Sequence, residues 1–227
     1  MAAPDPASDP SADDPSTVLH RLAIELVAMS QNGLTYATDR YDISRYHRLR
    51  EMSAEVLSLI GDDDADVFHR ALLAEAGHAT PKVDVRAALF EGDAVLLVRE
   101  ARDGRWTLPG GWADALDAPT RAAAREFAEE AGLRVRMSKL AAVHDGTRRN
   151  AHRAGGSGTP WHVYKLMFVA ERLDDAVPQA GLDGETTDVS FFGLDDLPDL
   201  STGRTTVEQL QLLHRHSSDP ALPTEVD

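Results

Sequence analysis

Three glutamates with helical spacing follow a pair of glycines in the stretch LPGGWADALDAPTRAAAREFAEEAGL, which runs from Leu108 to Leu133. Glu126, Glu129 and Glu130 are related as i, i+3 and i+4, so they share one face of a helix. Two carboxylates about 4 Å apart repel each other by roughly 4 kcal/mol at an effective dielectric near 20. A divalent cation removes that repulsion, and hard ions such as Mg²⁺ or Mn²⁺ prefer oxygen ligands. The spacing therefore indicates a Mg²⁺ site, with Mn²⁺ as a substitute, although such a cluster alone is also typical of a solvated helix face.

The residues around the glutamates delimit the helix that carries them. Pro119 suits a first helical turn, where a missing N–H is not needed. Gly132 suits the position just after a helix, which often has a positive φ. The pattern predicts a helix from about Pro119 to Ala131. The glycines at 110 and 111 leave room for backbone carbonyls to approach the same ion, because no side chain blocks them.

The remaining chain predicts a helical unit followed by a mixed domain. Apolar residues recur at helical spacing before the sequence HATPK, with a break at Asn32–Gly33 and a cap at Asp42. After Pro81, strand patterns alternate with turns around the central helix, which favours an α+β or α/β/α sandwich. Four segments are predicted: a disordered tail over 1–17, a helical unit over 18–78, the mixed domain over 81–216 and a frayed tail over 217–227.

Composition and charge restrict the class of protein. The net charge is −15 and no basic stripe is visible, which argues against a nucleic-acid partner. There is no cysteine, so disulfides and thiolate chemistry are excluded. No apolar stretch approaches the roughly 18 residues of a membrane span, and the N-terminus does not read as a signal peptide. We therefore expect a cytoplasmic protein without a membrane partner.

The acidic stretch resembles the Nudix box, the motif of the Nudix hydrolase family. That motif is Gly, five residues, Glu, seven residues, Arg-Glu, an apolar residue, any residue, Glu-Glu, any residue, Gly and an aliphatic residue. Eight of its nine specified positions match here, and Asp117 stands where the family has Glu. The segments TPKVDVRAALF, FFGLDDLPDLSTGR and SQNGLTYATDRYDISRYHRLREMSAEVL extend the resemblance to a bacterial branch, over about Leu19 to His216. The resemblance implies a Nudix-type α/β/α sandwich with a mixed sheet, preceded by a small N-terminal helical unit.

The resemblance also implies which residues hold the metal. By position, Glu126 and Glu130 are metal ligands, Glu129 is a third ligand or holds a ligand water, and the carbonyl of Gly110 is a backbone ligand. Glu129, together with Arg125 and Glu185, forms the candidate catalytic set.

Other motif positions are implied to be structural. Arg125 is expected to pair with Glu129 or Asp117, and Asp117 to brace the loop rather than touch phosphate. Gly111 and Gly132 complete this structural set. Asp is one methylene shorter than Glu, so this departure from the motif affects the geometry of the loop.

Each candidate residue outside the motif has two interpretations, one functional and one structural or at the surface. Glu185 is placed like a second-site carboxylate that serves as base or extra metal ligand, or it is a solvated loop acid. Arg86 and Arg99, on the strands before the box, are candidates for substrate phosphate binding or surface residues. Tyr41 and Tyr46 are candidates for stacking on a base, or they pack the helix. The polar loop over 146–160 is a candidate substrate lid or a disordered segment.

Three functions are compatible with these features. The leading hypothesis is divalent-metal-dependent hydrolysis of the pyrophosphate bond in nucleoside diphosphates linked to a second group X, such as ADP-ribose, CDP-choline or nucleotide sugars. The alternatives are a non-catalytic nucleotide sensor on a Nudix scaffold and a pyrophosphatase that removes unwanted nucleoside triphosphates. The intact glutamate set favours an enzyme with a small-molecule nucleotide substrate, and the resemblance favours a homodimer.

Overall fold

The computed structural model describes residues 15–60, 64–146, 160–181 and 184–227. Most of the predicted N-terminal tail and of the predicted lid loop lie outside these ranges. The described chain divides into two units, one made of three helices and one made of a mixed sheet with two helices. No helix in these ranges is long and apolar enough to cross a membrane.

The first unit packs three helices around a small apolar core. They are α1 (Pro15–Tyr36), α2 (Arg40–Ile60) and α3 (Ala65–Leu73). The core is made of small and large apolar side chains from all three helices: Ala23, Val27, Ala54, Leu57, Phe68 and Leu72.

Two local predictions in this unit differ from the structure. The helix α1 continues through Gly33 instead of breaking there, and a Cβ on Gly33 would lie 2.3 Å from Cε1 of Tyr46. Glycine therefore serves close packing between α1 and α2 rather than a turn. The cap of α2 is Asp39, not Asp42, because its Oδ1 accepts hydrogen bonds from the backbone N–H groups of Tyr41 (2.9 Å) and Asp42 (3.2 Å).

The second unit is built on an eight-stranded sheet. Its strands are β1 (Lys82–Glu91), β2 (Ala94–Glu100), β3 (Trp106–Thr107), β4 (Gly110–Trp112), β5 (Val135–Asp145), β6 (Val163–Arg172), β7 (Thr186–Gly193) and β8 (Glu225–Val226). The order is β3-β2-β1-β6-β5-β8, with β4 paired to β1 and β7 to β2. The pairs β1–β6 and β5–β8 are parallel and the others are antiparallel, so the sheet is mixed.

The helices α4 (Pro119–Ala131) and α5 (Val207–Ser218) cover opposite faces of this sheet. Val85, Ala87 and Leu89 of β1 pack in the core beneath α4, whereas Ala88 packs in the core beneath α5. Successive side chains of a strand point to opposite faces, so each helix fills one side. This arrangement confirms the predicted sandwich with a mixed sheet and a preceding helical unit.

The C-terminal segment is ordered against the sheet rather than frayed. Glu225 and Val226 pair in parallel with Ala142 and Val143 of β5. The backbone N–H of Asp145 also donates to a carboxylate oxygen of Asp227 at 2.7 Å. The predicted frayed end over 217–227 is therefore wrong, because the chain end supplies the edge strand of the sheet.

Candidate active site

The helix α4 presents its acids because its other face is apolar and buried. It spans the predicted residues, with Pro119 in its first turn and Gly132 at its C-terminal cap with φ +67°. Small side chains and one ring bury the inner face: Ala122, Ala123, Phe127 and Ala131. Glu126 and Glu130 then lie where α4 meets the Gly110–Gly111 segment of β4: the Glu130 carboxylate bonds the Gly110 amide, and a Cβ on Gly111 would lie 3.1 Å from Glu126 Oε2.

Gly110 is a glycine for a steric reason. Its φ is +143°, and a Cβ there would lie 2.0 Å from the carbonyl oxygen of Val85 on the paired strand β1. No side chain fits this contact. The Gly110 N–H donates to Oε2 of Glu130 at 2.8 Å, so this backbone holds a glutamate by its amide. The predicted role of the Gly110 carbonyl as a metal ligand stays a prediction.

Burial sets the electrostatics of the inner two glutamates. Glu130 is only 3% exposed, and this burial raises its pKa to about 8, against the opposing effects of Arg86 and of the Gly110 N–H. Glu126 also has a raised pKa, first because of burial, with Arg125 opposing the shift and Glu129 adding to it. For both carboxyls the effect of burial on the pKa therefore outweighs that of the nearby arginine.

Arg125 is the side chain that links the acids. Its Nη1 lies 2.9 Å from Oε1 of Glu126 and 2.9 Å from Oε2 of Glu129. Its Nη2 lies 3.6 Å from Oδ2 of Asp117 and 3.7 Å from Oδ2 of Asp114. Arg125 thus pairs with both partners that were predicted for it, and Asp117 reaches it despite its shorter side chain.

The donor set fits a hard divalent cation. Four glutamates, at 100, 126, 130 and 185, act on one another electrostatically, and Arg125 is shared between Glu126 and Glu129. Oxygen ligands with excess negative charge suit Mg²⁺. Within the described ranges, no group of three or more acidic or histidine side chains is placed to hold a metal ion. Arg125 pairs with Glu126 and Glu129, and the Gly110 N–H donates to Glu130.

Glu185 belongs with this acidic group. It immediately precedes β7, and its carbonyl accepts from the N–H of Ala101 at 2.8 Å. Burial is the main cause of the raised pKa of both Glu126 and Glu100, and the charge of Glu185 adds to it. The structure therefore brings this predicted residue within electrostatic reach of the helix, and its role as base or ligand stays a prediction.

Arg86 is placed differently from the prediction. It is 5% exposed, and its Nε and Nη2 donate to the two carboxylate oxygens of Asp84 at 3.0 and 2.9 Å. Its Nη1 donates to the carbonyl of Leu108 at 3.1 Å. Each of its three nitrogens has a partner inside the protein, so Arg86 is not a surface residue, and phosphate contact by Arg86 stays a prediction. Arg86 is a structural cation beside Glu130.

The other predicted substrate residues are at the surface or in the helical unit. Arg99 is exposed, and its Nε donates to the carbonyl of Gly104 at 2.7 Å. Tyr41 is 59% exposed, with the guanidinium of Arg40 4.6 Å from its ring centre. Tyr46 packs on Gly33, which favours the packing interpretation for this residue. Substrate contact by Arg99, Tyr41 and Tyr46 stays a prediction.

Sequence reasoning missed a set of charged residues beneath the site. Asp84, Glu100 and Lys165 are buried, and Arg204 pairs with Glu100. Asp84 and Arg86 are two residues apart on one strand and so share a face, a signal that the sequence does contain. Glu100, Lys165 and Arg204 are brought together only by tertiary contacts.

A strained leucine interrupts the loop between β4 and α4. Leu116 has φ +73° and its side chain is completely exposed, and the N–H of Asp117 donates to the carbonyl of Asp114 at 3.0 Å. This is a turn with a positive φ at its third residue, where glycine is favoured. Leucine there costs about 1 kcal/mol and gains no packing in return.

Leu116→Gly is therefore expected to stabilise the protein by roughly 1 kcal/mol, which raises the thermal midpoint by about 2–4 °C. Leu116→Ala keeps the strain and serves as the matched control, with a midpoint close to that of the parent. Differential scanning calorimetry measures both. Equal midpoints for the glycine and alanine variants would show that the turn is not strained.

The fold and the acidic helix together define a Nudix hydrolase. Residues 80–213 match the family model of the NUDIX domain, and the chain belongs to this family. Residues 18–72 match the family model described as the UDP-X-like, N-terminal oligomerisation domain.

Similar proteins agree with this assignment. The Bacillus subtilis (strain 168) protein called "Putative ADP-ribose pyrophosphatase YjhB" is 36% identical over 200 residues, which cover 88% of this chain and 92% of that one. An ADP-ribose pyrophosphatase structure from Streptococcus suis 89-1591 is 37% identical, with a TM-score of 0.57, and covers 65% of this chain and 100% of its own. A UDP-X diphosphatase structure is 30% identical, with a TM-score of 0.57, and the match covers 93% of this chain and 99% of the diphosphatase chain.

Proposed function

We propose that this enzyme hydrolyses the pyrophosphate bond of nucleoside diphosphates linked to a second group X, with ADP-ribose as the first substrate to test and Mg²⁺ as the metal. The observation that carries the proposal is the placement of Glu126 and Glu130. The Glu130 carboxyl is buried and the Glu126 carboxyl is largely buried next to the Gly110–Gly111 backbone, and for both groups the effect of burial on the pKa outweighs that of the nearby arginine. The similarity to an ADP-ribose pyrophosphatase and to a UDP-X diphosphatase supports the substrate class.

Each residue has a defined part in this chemistry. Glu126 and Glu130 would hold the ion, and Glu129 would be a third ligand or hold a ligand water. Bound Mg²⁺ would neutralise the diphosphate and lower the pKa of a water molecule. The Gly110 N–H keeps the Glu130 carboxylate oriented, and Arg125 keeps Glu126 and Glu129 in place. Glu185 is the candidate proton acceptor for the attacking water.

The glutamate set also bears on the alternatives. A sensor that only binds nucleotide has no need of three clustered acids, whereas clustered acids with raised pKa values are typical of functional sites. A triphosphate pyrophosphatase would use the same acids. The helical unit, which matches a family model described as UDP-X-like, favours nucleoside diphosphate–X substrates instead.

One substrate panel tests the proposal. ADP-ribose, CDP-choline, a UDP-sugar and ATP are each incubated with the full-length protein and Mg²⁺ or Mn²⁺, and the products are separated by anion exchange. We expect a nucleoside monophosphate and a phosphorylated X from at least one of the first three. Cleavage of ATP alone would indicate that the enzyme is a nucleoside triphosphate pyrophosphatase instead. Binding without cleavage of any compound would favour the sensor.

The same panel addresses the nucleobase. A diphosphate contact is common to all nucleotides and cannot select a base, so selection requires stacking or hydrogen bonds to a base edge. Tyr41 remains the candidate for such a contact. If Tyr41→Ala leaves the ratio of kcat/KM for ADP-ribose and a UDP-sugar unchanged, Tyr41 does not select the base.

We also propose that the protein is a homodimer formed through α1. The inner face of α1 packs in the core of its unit, whereas a second apolar stripe is exposed and consists of Leu19, Leu22, Met29 and Tyr36. These residues recur at helical spacing, which gives a continuous surface for a second copy. The matching family model is described as an oligomerisation domain.

Leu22→Glu combined with Met29→Glu is expected to convert the dimer to a monomer, because it places charges in the contact. Light scattering coupled to size exclusion measures the mass. Val177→Glu, at a side chain that is 84% exposed in the second unit, is the control and should remain dimeric. A parent that is monomeric at all concentrations, or a double variant that stays dimeric, would contradict this interface.

A further inference from the structure

A buried lysine holds the backbone turn that precedes α5. Lys165 of β6 is 5% exposed, and its Nζ donates to the carbonyls of Gly203 (3.2 Å) and Arg204 (2.5 Å). Its Cα is in register with Asp84 on the neighbouring strand β1. Burying an ammonium group is unfavourable unless it is fully paired. Here the pairing fixes one turn of the chain to the sheet.

This turn directs one arginine toward the acidic site. The turn is closed by hydrogen bonds from the N–H groups of Arg204 (2.8 Å) and Thr205 (2.9 Å) to the carbonyl of Ser201. Arg204 Nε lies 3.2 Å from Oε1 of Glu100, and its Nη1 lies 3.1 Å from Oδ2 of Asp103. The described contacts of the guanidinium therefore use Nε and Nη1.

Glu100 connects Arg204 with the metal-site carboxylates. Glu100 is paired in register with Thr186 of β7, and the Thr186 hydroxyl donates to the carbonyl of Glu130 at 3.0 Å. A side chain that touches Glu100 is thus at the border of the acidic cluster. The side chain of Arg204 is 28% exposed, so one part of it faces solvent.

Two other arginines near the site, Arg86 and Arg125, have several protein partners. Arg86 uses all three nitrogens on Asp84 and Leu108, and Arg125 is divided among four carboxylates. A substrate with two anionic phosphates requires cations beyond the metal, particularly in a protein of net charge −15. A guanidinium can bind phosphate oxygens through two parallel N–H groups.

We propose that Arg204 is a substrate-binding residue that contacts a phosphate of the nucleoside diphosphate–X substrate, and that Lys165 is its positioning residue. This inference rests on the proposed function. Glu100 pairs with Nε and Asp103 pairs with Nη1, on two different sides of the guanidinium, and the phosphate is bound by the N–H groups of Nη2. The pair with Glu100 keeps Arg204 from turning toward bulk solvent before substrate arrives.

The test compares Arg204→Met and Arg204→Lys with Arg105→Met. Arg105 is a good control because it is also a half-exposed arginine near Asp103 and pairs with Asp199 instead of Glu100. For ADP-ribose with Mg²⁺, we expect KM to rise about tenfold in Arg204→Met with kcat changed less than threefold. Lysine keeps the charge but lacks the planar guanidinium with its several N–H donors. The KM of Arg204→Lys should therefore lie between those of the parent and Arg204→Met. Arg105→Met should stay within twofold of the parent in both constants.

Lys165→Met keeps the volume of the lysine side chain but removes its hydrogen bonds to the turn. The KM of this variant should therefore rise, as in Arg204→Met, although Arg204 itself is unchanged. The dissociation constant of ADP-ribose is also measured by calorimetry in EDTA, where no turnover occurs. A roughly tenfold weaker constant for Arg204→Met supports the inference independently of catalysis. An unchanged KM and dissociation constant, with a lower thermal midpoint, would show that Arg204 only stabilises the turn. Failure of the parent to cleave any panel compound would instead defeat the proposed function.

Discussion

Replacing Glu130 with glutamine is expected to lower turnover at saturating Mg²⁺ by at least about a hundredfold, and Glu126→Gln should do the same. Each change removes an anionic oxygen where the metal charge is needed, and such losses are large in catalytic sites. We expect the Glu130→Gln variant to fold like the parent. Glutamine can still accept from the Gly110 N–H, and the burial that raises the Glu130 pKa disfavours the charged form.

The matched control is Glu171→Gln. Glu171 is a glutamate on β6 whose side chain is half exposed and pairs with Arg136 at the surface. Its removal should leave turnover and the thermal midpoint unchanged. If Glu126→Gln and Glu130→Gln keep activity within threefold of the parent, the two glutamates are not the metal ligands.

Replacing Arg86 with methionine is expected to destabilise the second unit by about 3–5 kcal/mol. The change leaves the carboxylate of Asp84 buried without the two hydrogen bonds that it now accepts, and breaking one side of a buried ion pair has an effect of this size. For a protein of this length, the thermal midpoint should fall by roughly 10 °C. Calorimetry and urea unfolding measure the loss.

Arg136→Met is the control for this prediction, because the Arg136–Glu171 pair has side chains that are 64% and 50% exposed. Removing an exposed pair should change the free energy of unfolding by no more than about 1 kcal/mol. The double change Asp84→Asn with Arg86→Met should recover part of the stability. If Arg86→Met lowers the free energy of unfolding by less than about 1 kcal/mol and greatly increases KM, Arg86 contacts the substrate phosphate instead.

The sequence predicted those parts of the site that are local. The helix α4, its terminal glycine and the shared face of its glutamates depend on spacings within one helix, so periodicity was sufficient. The pairing of Arg125 with Glu129 is likewise an i, i+4 contact of 2.9 Å. The sandwich followed from the order of strand and helix patterns, together with the resemblance to the Nudix family.

The wrong predictions concern residues whose partners are distant in sequence. Arg86 was a candidate for phosphate binding or a surface residue, and the surface interpretation is wrong because a strand arginine gives no sign of Leu108, 22 residues away, which accepts its Nη1. Gly33 was interpreted as a helix break because the ring of Tyr46 across the helix pair is invisible in a one-dimensional pattern. Arg204 escaped notice because Glu100 and Lys165 come to it from two separate strands.

The most direct test of the account is cleavage of ADP-ribose by the protein after removal of metal with EDTA and again after Mg²⁺ is restored. The account predicts no cleavage in EDTA. After Mg²⁺ is added, it predicts AMP and ribose 5-phosphate in equal amounts, and neither product from the Glu130→Gln variant at more than about one hundredth of the parent rate. Cleavage that persists in EDTA, or equal rates for the parent and the Glu130→Gln variant, would contradict it.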